Sequence, residues 1–363
     1  MKRRMKVGIL TGGGDCPGLN AVIRAVAKKL MLENNAEIIG IKDGYEGLIR
    51  NDYKRLDYAD VSGILTLGGT ILGTSNIANP YRQAIKLNGK TVIRDVSKKV
   101  IQNIKRMKLD SIVCIGGDGT LTIASYLYKD GIPIVGVPKT IDNDIRGTDV
   151  TFGFDTAVAI ATEGIDRIHT TAQSHHRVMI VEVMGRNAGW IALYAGIAGG
   201  GDIILIPEIP FEIEKIASVV KQRHKRGSRF SIIVVAEGAK SKRGKVVIKR
   251  MIEESTIAER LGGISMVLGK QLEDQTGLET RAVIMGHLLR GGSPTSTDRI
   301  LATQLGTAAA EFVIKKKYGM MAGVKGSSVA AVPLNEVAKG PKLIKSNNQL
   351  VCAARCVGTS FGD

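Results

Sequence analysis

Short apolar runs alternate with amphipathic stretches along almost the whole chain. KVGIL, EIIGI, SIVCIGG, PIVGVP, RVMIVEV, DIILIP, FSIIVVAEG and RAVIMG read as buried strands. Helical periodicity covers Leu19 to Glu33, Val96 to Met107, Leu121 to Lys129, Thr156 to Thr171, Glu212 to His224, Thr256 to Glu273 and Thr303 to Lys317. The strand runs are continuously apolar rather than alternating, which predicts parallel sheets covered on both faces. The repeated strand–helix order predicts a doubly wound α/β fold. A chain of 363 residues with this many strands predicts two such sheets with a cleft between them.

In that architecture ligands bind beyond the carboxyl ends of strands. The residues there are distinctive. TGGGD follows the first run, GGDGT follows SIVCI, and PKTIDND follows PIVGV. EVMGR follows RVMIV, AEG follows SIIVV, and GHLLRGG follows RAVIM.

Composition narrows the class without naming it. Hydrophobic residues make up 44% and charged residues 23%, the balance of a soluble globular protein. No apolar run reaches about 18 residues, so no membrane span is expected. The start, MKRRMKVGILTGGG, has a basic flank, but its apolar run breaks at once into glycines and reads as a first strand, not a signal peptide. Cys16, Cys114, Cys352 and Cys356 show no paired metal spacing and read as free thiols in a reducing cytoplasm. The net charge of +17 raises the question of a nucleic-acid partner. The basic residues are scattered and aromatics are only 4%, so no stacking platform forms and none is expected. The excess fits a solvated surface, and part of it fits the lining of a site for polyanions.

Three glycine and acid clusters carry the chemistry. Gly12, Gly13 and Gly14 leave backbone amides free to approach a phosphate, or simply make a tight strand-to-helix turn. Their spacing matches neither a dinucleotide fingerprint nor a Walker loop. In Gly116-Gly117-Asp118-Gly119-Thr120, Asp118 is suited to hold magnesium; Asp118 or Thr120 is equally suited to cap the next helix. In Thr140-Ile141-Asp142-Asn143-Asp144, the two acids would face one side of an extended segment. One carboxylate would accept a hydroxyl proton as that hydroxyl attacks phosphorus, and the other would orient ligand or metal. Thr140 would hydrogen-bond a phosphoryl group, and Lys139 would supply positive charge. A turn with solvated acids is the bland alternative.

Taken together, TGGGDCPGLNAVIR, GGTILGTS, IGGDGTL, PKTIDND, FGFDTA, VEVMGRNAGW, VVAEGA and GHLLRGGSPTSTDR occur in this order from Val7 to about Arg299. In that order they resemble the phosphofructokinase family. The resemblance implies two Rossmann-like doubly wound domains with the active site in the cleft between them, and phosphorylation of fructose 6-phosphate at its 1-hydroxyl in glycolysis. It implies a donor domain over 1–153 with 289–343, and a sugar-phosphate domain over 154–288 with 344–363. It assigns donor binding to Gly14, Gly117, Asp118, Gly119, Thr120 and Lys139, with magnesium on Asp118. Asp142 becomes the general base. Thr140, Asp144, Met184, Gly185, Arg186 and Glu237 become sugar-phosphate contacts, and His287 and Arg290 bind the 6-phosphate. Arg177 and Arg281 match arginines reaching in from a neighbouring subunit, so a homotetramer or homodimer with shared sites is expected.

Two places depart from the family pattern. An arginine often follows GGTxLG, but here Asn76 and Ile77 stand there, with Arg82 six residues beyond Asn76. Arg24 matches a basic residue of the bacterial effector site, whereas His169 stands where arginine is usual. The donor signals also conflict. Pyrophosphate enzymes of the family place aspartate where Gly119 stands and lysine where Lys139 stands. Glycine leaves room for a nucleotide α-phosphate, and a lysine serves either donor, so ATP is expected over pyrophosphate. A sugar-phosphate sensor without catalysis is the reading from another class.

Overall fold

The computed structural model describes residues 3–87, 90–242, 244, 248–251 and 259–363. Strands β1 (Lys6–Gly12), β2 (Glu37–Ile41) and β3 (Tyr53–Leu56) come first, with helices α1 (Leu19–Asn34) and α2 (Tyr45–Arg50) between them. A hairpin of β4 (Gln83–Leu87) and β5 (Lys90–Arg94) precedes α3 (Ser97–Met107), β6 (Ser111–Gly116), α4 (Asp118–Lys129) and β7 (Ile134–Pro138). Next come α5 (Phe154–His175), β8 (Val178–Val183), α6 (Trp190–Ala198), β9 (Ile203–Leu205), α7 (Ile213–Lys225) and β10 (Ser231–Ala236). A second ribbon, β11 (Ile248–Met251) with β12 (Glu259–Leu261), leads to α8 (Ile264–Thr276) and β13 (Thr280–Ile284). The chain ends with α9 (Ser296–Ile314), β14 (Met320–Lys325), β15 (Ser328–Pro333) and α10 (Gln349–Cys356).

Two sheets organise these elements. One has seven strands in the order β15-β14-β7-β6-β1-β2-β3, and the other has four in the order β13-β8-β10-β9. The smaller sheet is wholly parallel. The larger is parallel through its centre but closes with antiparallel edges at β3 and β15, which the apolar pattern did not announce. Side chains alternate between faces as the strand period requires. Ile9 and Val113 pack into a core that continues through Phe152 and Ile165 to Val181, Ile204 and Val234 of the other sheet. Leu10, Ile112 and Cys114 face a second cluster under α3 and α4. Both faces of the central strands are covered, which explains their unbroken hydrophobicity.

Every apolar run named above forms a strand, but one helix is corrected. Thr256 to Glu273 does not form a single helix. Residues 256–258 lie outside the described residues, and Glu259–Leu261 pairs with Ile248–Met251. Gly262 and Gly263 then take φ of 129° and 88°, a backbone closed to helix, so α8 begins at Ile264. The final long helix starts earlier than Thr303, at Ser296, where the Thr295 hydroxyl accepts from Asp298 N–H.

Candidate active site

The register brings the sequence motifs to common edges. Gly12 of β1 lies beside Gly116 of β6, and Gly116 beside Pro138 of β7. The first glycine loop, the GGDGT loop and the PKTIDND segment therefore leave adjacent strands at the same end. In the smaller sheet Val183 pairs with Ala236 and Glu182 with Ile284, so Met184 to Arg186, Glu237 and the 3₁₀ turn Gly286–Arg290 share an edge.

Lys139 and Arg290 sit between these edges. Lys139 is buried, and its ammonium donates to the Gly14 carbonyl. Burial pushes its pKa down, as expected for a cation taken from water. Arg290 reaches the first glycine loop and donates to the Asp15 carbonyl at 2.9 Å. A Cβ on residue 14 would stand 2.8 Å from the Arg290 guanidinium, so the absence of a side chain at Gly14 admits that arginine. Residues 66–75 are laced to the same loop: Gly13 N–H donates to the Ser75 carbonyl at 3.0 Å, and the Thr74 hydroxyl to the Gly13 carbonyl at 2.6 Å.

The TIDND segment is a bend and not the extended segment expected from its spacing. Asn143 adopts φ 50°, so the two acids are not related by a simple strand alternation. They still meet electrostatically. Burial holds the Asp142 carboxyl above the usual carboxylate range, the charges of Glu237 and Asp118 add to this, and Arg290 and Lys139 oppose it. Burial also raises Asp144, with the charge of Asp142 as the next cause. Asp142 N–H donates to the Thr140 hydroxyl at 3.0 Å, while Asp142 Oδ1 is buried with no hydrogen-bond partner. An orphaned carboxylate oxygen is costly unless it serves a ligand or a proton.

The GGDGT loop divides its residues between packing and the cleft. Neither Asp118 nor Thr120 is the helix cap: the cap position is Gly117, and it makes no side-chain cap bond. Asp118 stands exposed in the first turn of α4, accepting from Gly119 N–H at 2.6 Å. Thr120 is buried, and a Cβ on Gly12 or Gly116 would collide with it at 2.7 and 2.3 Å. A Cβ on Gly119, by contrast, would meet nothing within 4 Å.

On the other edge, burial raises the Glu237 carboxyl, the charge of Glu182 adds to this, and Arg290, a bond from Gly185 N–H and Arg186 oppose it. Met184 and Arg186 are half-buried, and His287 is exposed. Arg177 and Arg281 do not join this group. They flank the amino ends of β8 and β13, where both pair with Glu279. The six residues of β8 put roughly 20 Å between that end and Met184. Of the departures, Asn76, Ile77 and Arg82 are exposed, and Arg82 immediately precedes β4. His169 is engaged internally, with Nε2 2.7 Å from the Gly199 carbonyl oxygen and its ring edge-on to Phe230.

Sequence reading missed three site-forming residues. Glu182 is buried inside β8 and accepts from Gly263 N–H, Ser265 N–H and the Ser265 hydroxyl, anchoring α8 behind Glu237. Glu208 accepts from Gly189 N–H and Ile344 N–H. Its position directly after the DIILIP strand carried the same signal as the other strand ends. Lys342 contacts the TIDND bend from an aperiodic stretch that gave no signal.

Among the described residues no helix is long and apolar enough to cross a membrane. The family model for phosphofructokinase matches residues 6–313. The chain is 51% identical over 363 residues to ATP-dependent 6-phosphofructokinase 2 of Clostridium perfringens, spanning 99% of this chain and 98% of that one. It is 50% identical over 364 residues to the ATP-dependent 6-phosphofructokinase of Chloroflexus aurantiacus, spanning 99% of both. Among solved structures, the phosphofructokinase of Pichia pastoris in the T-state superposes with a TM-score of 0.80 at 30% identity. That match covers 99% of this chain but only 37% of the Pichia chain. A pyrophosphate-dependent phosphofructokinase of Marinobacter aquaeolei, 22% identical over 96% of this chain and 88% of its own, shares the fold with a TM-score of 0.78. The match over most of the length and the full-length relatives agree with the ordered motifs: this chain belongs to the phosphofructokinase family.

Proposed function

We propose that the chain is an ATP-dependent 6-phosphofructokinase that converts fructose 6-phosphate to fructose 1,6-bisphosphate in the cytoplasm. The observation that carries the chemistry is the buried, unpartnered Asp142 oxygen beyond the end of β7, on a carboxyl that feels the charges of Lys139 and Arg290 and acts on Asp144. Asp142 takes the proton of the sugar 1-hydroxyl as that oxygen bonds to the γ-phosphorus, and the bond to the bridging oxygen breaks to release ADP. Lys139 places positive charge where negative charge spreads. Gly14, Gly117, Gly119 and Thr120 form the donor cradle, with Thr120 shaping it by packing. Thr140, Asp144, Met184, Gly185, Arg186 and Glu237 hold the sugar phosphate, and His287 and Arg290 its 6-phosphate.

Magnesium fits the donor set. Among the described residues no three metal-binding side chains converge. Magnesium keeps water and substrate phosphates in its shell and needs only one or two carboxylates from protein. Exposed Asp118, in the cleft, supplies one. When bound, the ion would neutralise charge on the donor phosphates. Sheet membership supports a donor domain of 1–153 with 289–343 and a sugar-phosphate domain of 154–288 with 344–363. The C-terminus joins the smaller sheet, where Ile203 bridges Ser360.

Incubating the purified chain with fructose 6-phosphate and magnesium-ATP is expected to yield ADP and fructose 1,6-bisphosphate in equal amounts by ³¹P NMR. No bisphosphate would refute the assignment.

The position of Arg177 and Arg281 supports a shared site in a homotetramer or homodimer. They stand at the wrong end of their own strands to reach their own cleft. Beside them β13 is an edge strand with Val283 and Ile284 exposed, a surface that a second copy would cover. Two inactive variants test this: one carries Asp142→Asn, the other Arg177→Ala with Arg281→Ala. Mixed oligomers are expected to regain activity, because the second chain's base works with the first chain's arginines. Verified subunit exchange without any recovery would place both arginines in their own chain's site or outside catalysis.

A further inference from the structure

The bend that carries Asp142 and Asp144 is held from behind by a segment nearly two hundred residues away. Lys342 N–H donates to the Asp144 carbonyl at 2.7 Å. Its ammonium donates to Asn143 Oδ1 at 3.0 Å, and to the carbonyls of Thr148 and Asp149 at 3.2 and 2.7 Å. Asn143 is buried in the left-handed conformation that asparagine tolerates better than most residues. Its buried amide oxygen needs a donor, and Lys342 supplies it. The same lysine faces the other way as well. Its carbonyl accepts from the Trp190 indole N–H at 2.9 Å, and its ammonium lies 5.4 Å from the centre of that ring. Two residues on, Ile344 N–H donates to Glu208, whose carboxylate also accepts from Gly189 N–H beside Trp190. Residues 342–344 therefore clasp the TIDND bend of the larger sheet to the loop and helix that follow β8 in the smaller one.

We infer that Lys342 is a positioning residue for phosphoryl transfer, fixing the Asn143 bend and with it the two carboxylates against the opposite side of the cleft. The inference rests on the reading of Asp142 as the base. Lys342 touches no reacting group, so its effect falls on the geometry of the base and, through Asp144, on the hold on the sugar phosphate, and not on ATP affinity. A displacement of the base by about 1 Å is enough to cost on the order of 100-fold in rate.

Steady-state kinetics, tryptophan quenching and melting of Lys342→Met and Lys342→Arg test this. In Lys342→Met, kcat is expected to fall about 10–100-fold while KM for ATP stays within about twofold. Lys342→Arg keeps a cation with several donors and is expected to recover most of the loss. Trp190 is the only tryptophan of the chain, so acrylamide quenching reports the clasp without any turnover, and quenching is expected to rise in Lys342→Met. Asn143→Gly supplies an independent arm: it permits the left-handed backbone but removes the Oδ1 acceptor. Its kcat is expected to fall with KM for ATP unchanged, and adding Lys342→Met to it is expected to cost less than adding it to the parent. A fall in melting temperature with kcat intact would make Lys342 structural only. Losses that add fully, or no loss in either variant, would overturn the inference; should Lys342→Met fail to fold, an unchanged kcat in Asn143→Gly would overturn it. Because quenching needs no base, it separates failure of the clasp from failure of the Asp142 assignment, which Asp142→Asn decides.

Discussion

Replacing Asp142 by asparagine lowers kcat by about 10²–10⁴-fold, the range that acid–base catalysis supplies. The isosteric amide keeps the bend, because the Asp142 N–H bond to Thr140 is a backbone bond. Binding of fructose 6-phosphate therefore stays near the parent's value. Two accompanying signs distinguish a lost base from a damaged site. In the parent, kcat/KM falls on the acid side as Asp142 is protonated, and burial moves that fall above the ordinary carboxylate range. The second sign is stability. A carboxyl whose folded pKa is raised favours the folded state below its unfolded pKa of 3.8, and that contribution is lost as pH rises through the folded pKa. At neutral pH the buried charge is thus a burden, and Asp142→Asn is expected to melt above the parent. Steady-state kinetics across pH and a calorimetric scan check both signs. Near-normal turnover in the variant would remove Asp142 from this role.

Gly119→Asp tests the donor. Nothing stands within 4 Å of a Cβ at this position, and an acid in the first turn of α4 suits the helix dipole, so the variant is expected to fold normally. Its carboxylate would occupy the space that the nucleotide α-phosphate needs. A like charge forced against a phosphate costs several kcal/mol, so kcat/KM for ATP is expected to fall by at least about 10²-fold. Pyrophosphate has no α-phosphate and is not excluded. With Lys139 already in place, turnover with pyrophosphate is expected to appear or rise. Unchanged use of ATP would show that the donor lies elsewhere.

How much of this was legible in the sequence depended on how local each signal was. The strands that carry the site, apart from the exposed edge strand β13, are buried on both faces, so their apolar runs marked them; RAVIM marked β13 as well, and the residues after each run marked the cleft. β3, β4, β5 and β15 were missed because they are edges or ribbons with exposed faces and no apolar run to read. The β11–β12 ribbon was missed too, and buried β14 was missed because MMAGVK, with an alanine and a glycine at its centre, has no run of large apolar residues. The long helix drawn through Gly262 and Gly263 followed apolar spacing alone and overlooked two glycines whose positive φ breaks it. In the TIDND segment the residue types were informative, but the bend at Asn143 was not, because Lys342, which binds its side chain, comes from another part of the chain. Arg177 and Arg281 illustrate the opposite case. The resemblance marked them as lent across a subunit boundary, a role no periodicity announced, and in this chain they lie at the amino ends of β8 and β13, away from Met184 to Arg186.

The most direct measurement is the rate of fructose 1,6-bisphosphate formation by the purified, unmodified chain, with magnesium-ATP and with pyrophosphate as alternative donors under otherwise identical conditions. An ATP-dependent enzyme with an open Gly119 gives robust turnover with ATP and far less with pyrophosphate. Robust turnover with pyrophosphate and none with ATP, or no turnover with either, would contradict it.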